Sequence, residues 1–156
     1  MATIYLETFI EAPIERVFDL SRSIDLHKLS TAKTNEEAIV GRIKGLIEYD
    51  ETVTWRAKHL GIRQTLTSKI VLFEKPFHFS DAMIKGVFAY MKHRHEFKTE
   101  ANGTRMIDVF EFASPFGMLG KLADTIFLKQ YMTTLLKERN ETIKQIAESD
   151  NWKIFL

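Results

Sequence analysis

The sequence predicts one α+β domain, in which a seven-stranded antiparallel sheet wraps around a long C-terminal helix. Three observations predict this class. The length of 156 residues suits a single domain, taken here as 1–156. Alternating apolar and polar residues fill most of the chain after residue 52, and apolar residues recur at helical spacing near its end. The hydrophobic fraction of 45% and the charged fraction of 28% exclude a disordered or fibrous chain.

The N-terminal part predicts one strand followed by two short helices. Residues 3–11 alternate apolar and polar side chains, as a half-buried strand does. Pro13 suits the first turn of a helix because its missing N–H costs nothing there, so we expect a helix over 13–22. Ser23 or Asp25 is then expected to cap a second short helix.

The middle of the chain predicts strands. Leu60 and Gly61 are expected at the turn of a long hairpin, which places Trp55 opposite Leu66. Breaks at glycine and proline separate the other segments. We expect extended segments over 36–40, 45–48, 53–60, 62–73, 77–85, 87–99 and 104–113.

The last hairpin is given a register by charge. Asn102-Gly103 is the strongest two-residue hairpin signal. With these residues at the turn, Glu100 lies opposite Arg105 and Arg94 lies opposite Glu111, so two opposite-charge pairs share one solvated face. We interpret the other face as the inner one, because it is apolar except for His93, His95 and Asp108.

The C-terminal part predicts a long helix. Ser114-Pro115 is typical of a helix start. One straight helix over 116–148 would span ~50 Å, more than the breadth of about 30–40 Å that a domain of this size has. We therefore expect the main helix over about 121–148. The apolar tail Trp152–Leu156 is expected to dock on the body or on a partner.

Composition and charge narrow the functional classes. The 22 Lys+Arg and 21 Asp+Glu residues give a net charge of +1, which argues against nucleic acid as a partner. The absence of cysteine excludes disulfides and thiolate chemistry. We see no membrane-spanning run and no signal peptide, and so expect a cytoplasmic protein. No phosphate-binding glycine loop or nucleophile elbow is present.

Aromatic residues are abundant, with 12 Phe, 4 Tyr and 2 Trp beside 6 Met. Such side chains either fill a solid core or wall an apolar cavity. A sheet wrapped around a single helix leaves a gap wherever the side chains stop short. That gap is a natural ligand cavity.

Segments spread over nearly the whole chain carry a family resemblance: APIERVFDLSRSIDLHKLS, VTWRAKHLGIRQ, KPFHFSDAMIKGVF, HRHEF and GTRMIDVFEFASPFG. The chain resembles the SRPBCC superfamily, which includes START proteins and the birch pollen allergen. It is most similar to bacterial single-domain members that are polyketide cyclase/dehydrase-like or ligand-binding proteins. The resemblance implies the helix-grip fold. It implies no particular reaction and no catalytic residue, because the superfamily spans lipid carriers, hormone receptors, cyclases and coenzyme Q-binding proteins.

The polar residues of the inner face are the main candidates for chemistry. The charge-based register puts Asp108 opposite Phe97 and diagonally near His95, with His93 on the same face. These residues could form an acid/base pair, a two-histidine and carboxylate metal site, or a buried network that satisfies itself. Asp81, on the neighbouring strand, needs a histidine or Lys85 as partner if it is buried.

We predict a protein that binds an apolar or amphipathic small molecule (a lipid, polyketide, quinone or aromatic metabolite) between the sheet and the helix. The alternative is a polyketide cyclase/dehydratase-type enzyme that uses cavity His and Asp for proton transfer. We expect no cofactor or metal, and a monomer or homodimer. The predicted ligand-binding residues are His93, His95, Asp108, Trp55, His59, Asp81, Phe97, Phe110 and His27. Core filling or solvent exposure would also explain several of them, Trp55 and His27 among them.

Overall fold

The computed structural model describes residues 1–114 and 124–156. The elements are β1 (Ala2–Ile10), α1 (Ile14–Ser21), α2 (Ile24–Ser30), β2 (Glu37–Gly41), β3 (Thr52–His59), β4 (Ile62–Glu74), β5 (His78–Lys85), β6 (Tyr90–Glu100), β7 (Gly103–Ala113) and α3 (Lys129–Ala147). Short 3₁₀ turns lie at Ala32–Thr34 and Asp150–Ile154, and a π-helical turn at Asp124–Leu128 leads into α3.

All seven strands form one antiparallel sheet, in the order β1-β7-β6-β5-β4-β3-β2. This sheet, the long C-terminal helix and the two short helices after the first strand confirm the predicted helix-grip fold. Consecutive strands from β2 to β7 are neighbours, whereas β1 pairs with the last strand. The first and second strands therefore lie at opposite edges of the sheet.

The loop before β3 differs from the prediction. The sequence predicts an extended segment over 45–48, but these residues form no strand and make only an isolated bridge between Leu46 and Ser23. Their backbone is held by the helices instead: the Gly45 N–H donates to Asp25, and the Ile47 carbonyl accepts from Arg22. Ser23, rather than Asp25, caps α2 by accepting from the Leu26 N–H.

The predicted register of the β3–β4 hairpin is confirmed, with Trp55 opposite Leu66. Leu60 and Gly61 form the turn with φ of 54° and 80°. Two positive φ angles are what a two-residue hairpin turn requires, because its twist then matches that of the strands.

The predicted register of the β6–β7 hairpin is wrong by two residues. Glu100 pairs with Gly103 across the strands, so the turn is Ala101-Asn102, and Arg94 lies opposite Val109 instead of Glu111. A shift of two keeps every side chain on its predicted face. Glu100 still accepts two hydrogen bonds from Arg105, at 2.6 and 3.0 Å.

This shift has a direct consequence for the inner face. Asp108 lies opposite His95, not Phe97, which faces Met106. The glycine that suggested the other turn has a different reason for being there. A Cβ on Gly103 would clash with the carbonyl of Ile10 at the end of β1.

The core has a dense end beneath α1. Phe18 is fully buried and packs edge-to-face against Phe73, Phe79 and Phe97, with ring centroids 5.3–5.4 Å apart. A second cluster, around Phe112, packs against Leu136 of α3. Both clusters contribute walls to the cavity described below.

Helix α3 ends at Ala147, one residue before the predicted end. The predicted start, from Pro115 to about residue 121, lies outside the described residues. The tail docks on the body: Trp152 and Phe155 pack against the core, and the Arg16 guanidinium lies 4.2 Å from the centre of the Trp152 ring. None of the described helices is long and apolar enough to cross a membrane.

Candidate ligand-binding site

A cavity of about 390 Å³ lies between the inner face of the sheet and helices α2 and α3. Ligand pockets commonly have volumes of ~300–1,000 Å³. Its walls are mainly apolar, with Val53, Trp55, Ile70, Met91, Phe110, Met132 and Leu136 among the lining residues. Leu60 also lines it and is 53% exposed, so the end near the β3–β4 turn is the outer end.

At the inner end, two histidines alternate with two aspartates on three adjacent strands. Asp108 accepts a hydrogen bond from Nε2 of His93 at 2.8 Å, and Asp81 accepts one from Nε2 of His95 at 3.1 Å. The two imidazole rings are 3.8 Å apart, centre to centre. Three of these side chains line the cavity, whereas Asp108 lies behind the histidines. The predicted histidine partner of Asp81 is therefore present, and Lys85 is exposed instead.

Helix α3 supplies two polar partners to this group. Asn140 donates to Asp108 at 2.7 Å, and Arg139 approaches the same carboxylate at 3.4 Å and also donates to Asn140 at 2.9 Å. Both side chains are buried, with Arg139 5% and Asn140 2% exposed. We call the six residues the inner cluster: Asp81, His93, His95, Asp108, Arg139 and Asn140.

Arg139 and Asn140 are not among the residues predicted from the sequence. A signal was present, because they lie on the apolar face of the predicted helix, three and four residues after Leu136 and four and three before Ile143. Polar residues at buried positions of an amphipathic helix need partners. Asp108, on the sheet face that the helix covers, was the partner to expect.

The electrostatics of the inner cluster favour charged aspartates beside a neutral His93. Burial alone would raise the pKa of Asp108, but the histidines beside it and the Arg139 charge hold it well below its usual value. For Asp81, burial is again outweighed, mainly by the His95 hydrogen bond, and the pKa is lowered. Burial, reinforced by His95, lowers the pKa of His93 to about 4.

One buried nitrogen of the cluster is left without a good partner. Nδ1 of His95 lies 3.2 Å from Asp108, but their alignment is too poor for a hydrogen bond, and no other described residue bonds to it. The ring is held by stacking on Phe79, with centroids 4.2 Å apart. An unsatisfied buried polar atom costs ~1–3 kcal/mol.

At the outer end, four polar side chains form a second group, which we call the outer cluster: His27, Glu36, His59 and Tyr131. Nε2 of His27 is 3.0 Å from Glu36, and its ring packs on Trp55 with centroids 4.3 Å apart. Nδ1 of His59 is 2.8 Å from the Tyr131 hydroxyl. Burial lowers the pKa of His59. The His59–Tyr131 bond joins the β3–β4 hairpin to α3.

The structure brings most of the predicted ligand-binding residues to this cavity. Those that line it are His27, Trp55, His59, Asp81, His93, His95 and Phe110. Asp108 instead holds the two histidines from behind. Phe97 packs in the dense core beneath α1 and is not a lining residue, so we do not keep it in the site. Phe97 alternates with the histidines along β6 and therefore lies on the inner face, as predicted. At its position, however, the core is densely packed beneath α1 and leaves no cavity.

Among the described residues, a metal ion could also be held by Asp81, His93 and His95, which each have one ligand atom within 4.8 Å of the others. Two observations argue against that use. Nε2 of each histidine already bonds to an aspartate, and the buried guanidinium of Arg139 lies 3.4 Å from the Asp108 carboxylate beside them. A nearby positive charge disfavours a cation.

The fold is the helix-grip fold, whose sheet and long helix enclose a cavity in this chain. Among solved structures, the protein TTHA0849 from Thermus thermophilus is similar with a TM-score of 0.73 and 19% identity, over 95% of this chain and 100% of that one. Major latex-like protein 151 from Panax ginseng gives 0.69 and 10%, over 95% and 98%. Ara h 8.0201 gives 0.61 and 13%, over 91% and 97%. No protein-family model and no curated protein matches the sequence.

Proposed function

We propose that the chain, as one ligand-binding domain over 1–156, binds an apolar or amphipathic small molecule in the cavity. A lipid, polyketide, quinone or aromatic metabolite has the required character. The observation that carries the proposal is a cavity of about 390 Å³ with apolar walls and polar groups gathered at its two ends. Apolar walls supply the free energy of burial, and a few placed polar groups fix orientation.

Each polar group of the inner end has a distinct part in this proposal. His93 and His95 present their rings to a hydroxyl or carbonyl at the inner end of the ligand. Asp108 does not touch the ligand but keeps the rings in place, and Arg139, which also lines the cavity, pairs with Asp108. Trp55 forms part of the apolar wall.

Two experiments test the proposal. Native mass spectrometry of the protein purified from its own host is expected to show a retained small molecule. In a Trp152→Phe background, where Trp55 is the remaining tryptophan, 1-dodecanol is expected to change the emission with saturation. Ala57→Phe fills the cavity and should abolish that change, whereas Ala101→Phe, in the exposed β6–β7 turn, should keep it. Unchanged binding in Ala57→Phe would refute the proposal.

A second candidate is a cyclase or dehydratase that moves protons on a polyketone. The Asp81–His95 pair favours it, because a histidine and a carboxylate in hydrogen-bond contact face the cavity. Incubation with a linear poly-β-ketone and analysis of the products for loss of water tests this candidate. His95→Gln should abolish the product while ligand binding persists.

A further inference from the structure

We propose that the ligand carries a positively charged amine or quaternary ammonium group, and that this group binds beside Glu36 in the outer cluster. This inference rests on the proposed function and names the chemistry of the ligand's outer end. A carboxylate and the faces of several aromatic rings come together there, next to an apolar chamber.

The positive and negative charges around the cavity are not neutralised to the same degree. Among the described residues, two arginines line it, and both are paired with carboxylates that do not line it. Arg22 pairs with Asp19 and Glu48, at 2.8 and 2.9 Å, and Arg139 pairs with Asp108. The carboxylates that do face the cavity, Glu36 and Asp81, have histidines as their ion-pair partners among the described residues.

Glu36 is largely buried and ionised. Its side chain is only 13% exposed, and its ion-pair partner in the described chain is His27, which is charged only when protonated. Burial alone would raise the pKa of Glu36, but the charge and hydrogen bond of His27 lower it. Burial lowers the pKa of the nearby His59, which disfavours the charged form of that ring. An ionised carboxylate thus faces the cavity without a lysine or arginine among its described contacts.

Aromatic rings lie around this carboxylate. Trp55 and Tyr131 line the same end of the cavity, together with the two imidazoles. Trp55 packs on His27, and the Tyr131 and His59 rings stand nearly perpendicular, at 88°. Aromatic faces attract organic cations, most strongly where water is excluded. A carboxylate among such rings suits an alkylammonium group better than a compact, strongly hydrated metal ion.

Other head groups fit this end less well. A carboxylate ligand would meet Glu36 and, farther in, Asp81, and like charges in a partly buried site repel each other. A neutral hydroxyl could accept or donate one hydrogen bond but would bring no positive charge to Glu36. The preference for a cation is therefore a difference between ligands of equal apolar length.

Three probes of equal chain length test this difference: dodecylammonium, 1-dodecanol and dodecanoate, each kept below its micelle concentration at pH 7. Trp55 emission in the Trp152→Phe background reports binding. Dodecylammonium is expected to bind at least tenfold more tightly than dodecanol, and dodecanoate more weakly than either. The net charge of +1 gives the protein as a whole no attraction for a cationic amphiphile.

Two neighbouring glutamates provide a matched pair of variants. Glu36→Gln is expected to remove the preference for dodecylammonium over 1-dodecanol. Glu37→Gln, which changes an exposed residue paired with Arg56 on the outer face, is expected to keep the preference. Circular dichroism and the unfolding midpoint of each variant confirm that it is folded.

The outcomes separate this inference from the proposed function. If dodecanol binds and dodecylammonium gains less than threefold over it, the inference falls and the cavity function stands. A preference that survives Glu36→Gln but disappears in Asp81→Asn would place the cation at the inner end and would also overturn it. If none of the three probes binds, both proposals fall.

Discussion

Replacing Asp108 with Asn removes the charge at the centre of the inner cluster while keeping almost the same volume. Asp108 is fully buried, accepts from His93 and Asn140, and is the carboxylate nearest to Arg139. In the variant, Arg139 remains buried without an anionic partner. We therefore expect a large loss of stability from this single-atom change.

The magnitude follows from the cost of an uncompensated buried charge. Breaking a buried ion pair by removing one partner costs ~3–5 kcal/mol. The hydrogen bonds of Arg139 to the Asn140 and Ser21 oxygens remain and keep the loss within that range. At about 3 °C per kcal/mol for a chain of this length, the midpoint of thermal unfolding should fall by roughly 9–15 °C.

Urea unfolding at pH 7 measures the change, with Asp150→Asn as the control. Asp150 has a 94% exposed side chain paired with Lys153, so its variant should differ from the parent by less than about 0.5 kcal/mol. In a second variant, Asp108→Asn combined with Arg139→Met, the stability should partly recover because no charge is left unpaired. A loss below about 1 kcal/mol in Asp108→Asn, or no recovery in the double variant, would refute the reasoning.

Three further predictions use other parts of the molecule. The pKa of His93 is lowered to about 4 in the folded protein, against ~6.5 unfolded. Its contribution to stability is therefore present above pH 6.5 and lost as the pH falls towards 4, so urea titrations should show the parent losing about 3 kcal/mol more than His93→Gln over that range. Trp152→Ala should cost about 1–2 kcal/mol in thermal unfolding through its ring contacts with Arg16 and the core, whereas Lys153→Ala should cost little. Gly103→Ala should cost about 1–3 kcal/mol, with faster amide exchange in β1, because the added Cβ clashes with the Ile10 carbonyl.

The sequence predicted faces better than registers. Side-chain alternation has a period of two, so it assigned His93 and His95 to the inner face whichever turn the β6–β7 hairpin used. Predicting the register of this hairpin required more information. The Asn102-Gly103 turn signal depends only on the two strands that it joins, and not on β1, which pairs with β7. Gly103 is required by the close approach of β1, a contact between residues far apart in sequence.

Only part of the site could be predicted, again because some of its contacts join residues that are far apart in the sequence. His93, His95 and Asp81 stood out as polar groups on apolar strand faces, and their contacts follow from neighbouring strands. Arg139 and Asn140 lie on a helix that reaches the sheet only in the folded protein. Glu36 was not recognised because a carboxylate before an edge strand is usually solvated, and its ion pair with His27 forms only in the folded protein.

The position of β1 in the sheet affects how the chain can fold as it is made. Its strand partner is β7, and Ile10 pairs with Thr104. At ~5–20 residues per second, the ribosome takes roughly 5–20 s to add the intervening segment. Throughout that interval β1 has no strand to pair with, and the helix that covers the sheet has not been synthesised. The sheet is therefore completed late in synthesis. An N-terminal fragment that lacks β7 has an unpaired β1, which can aggregate or be bound by chaperones.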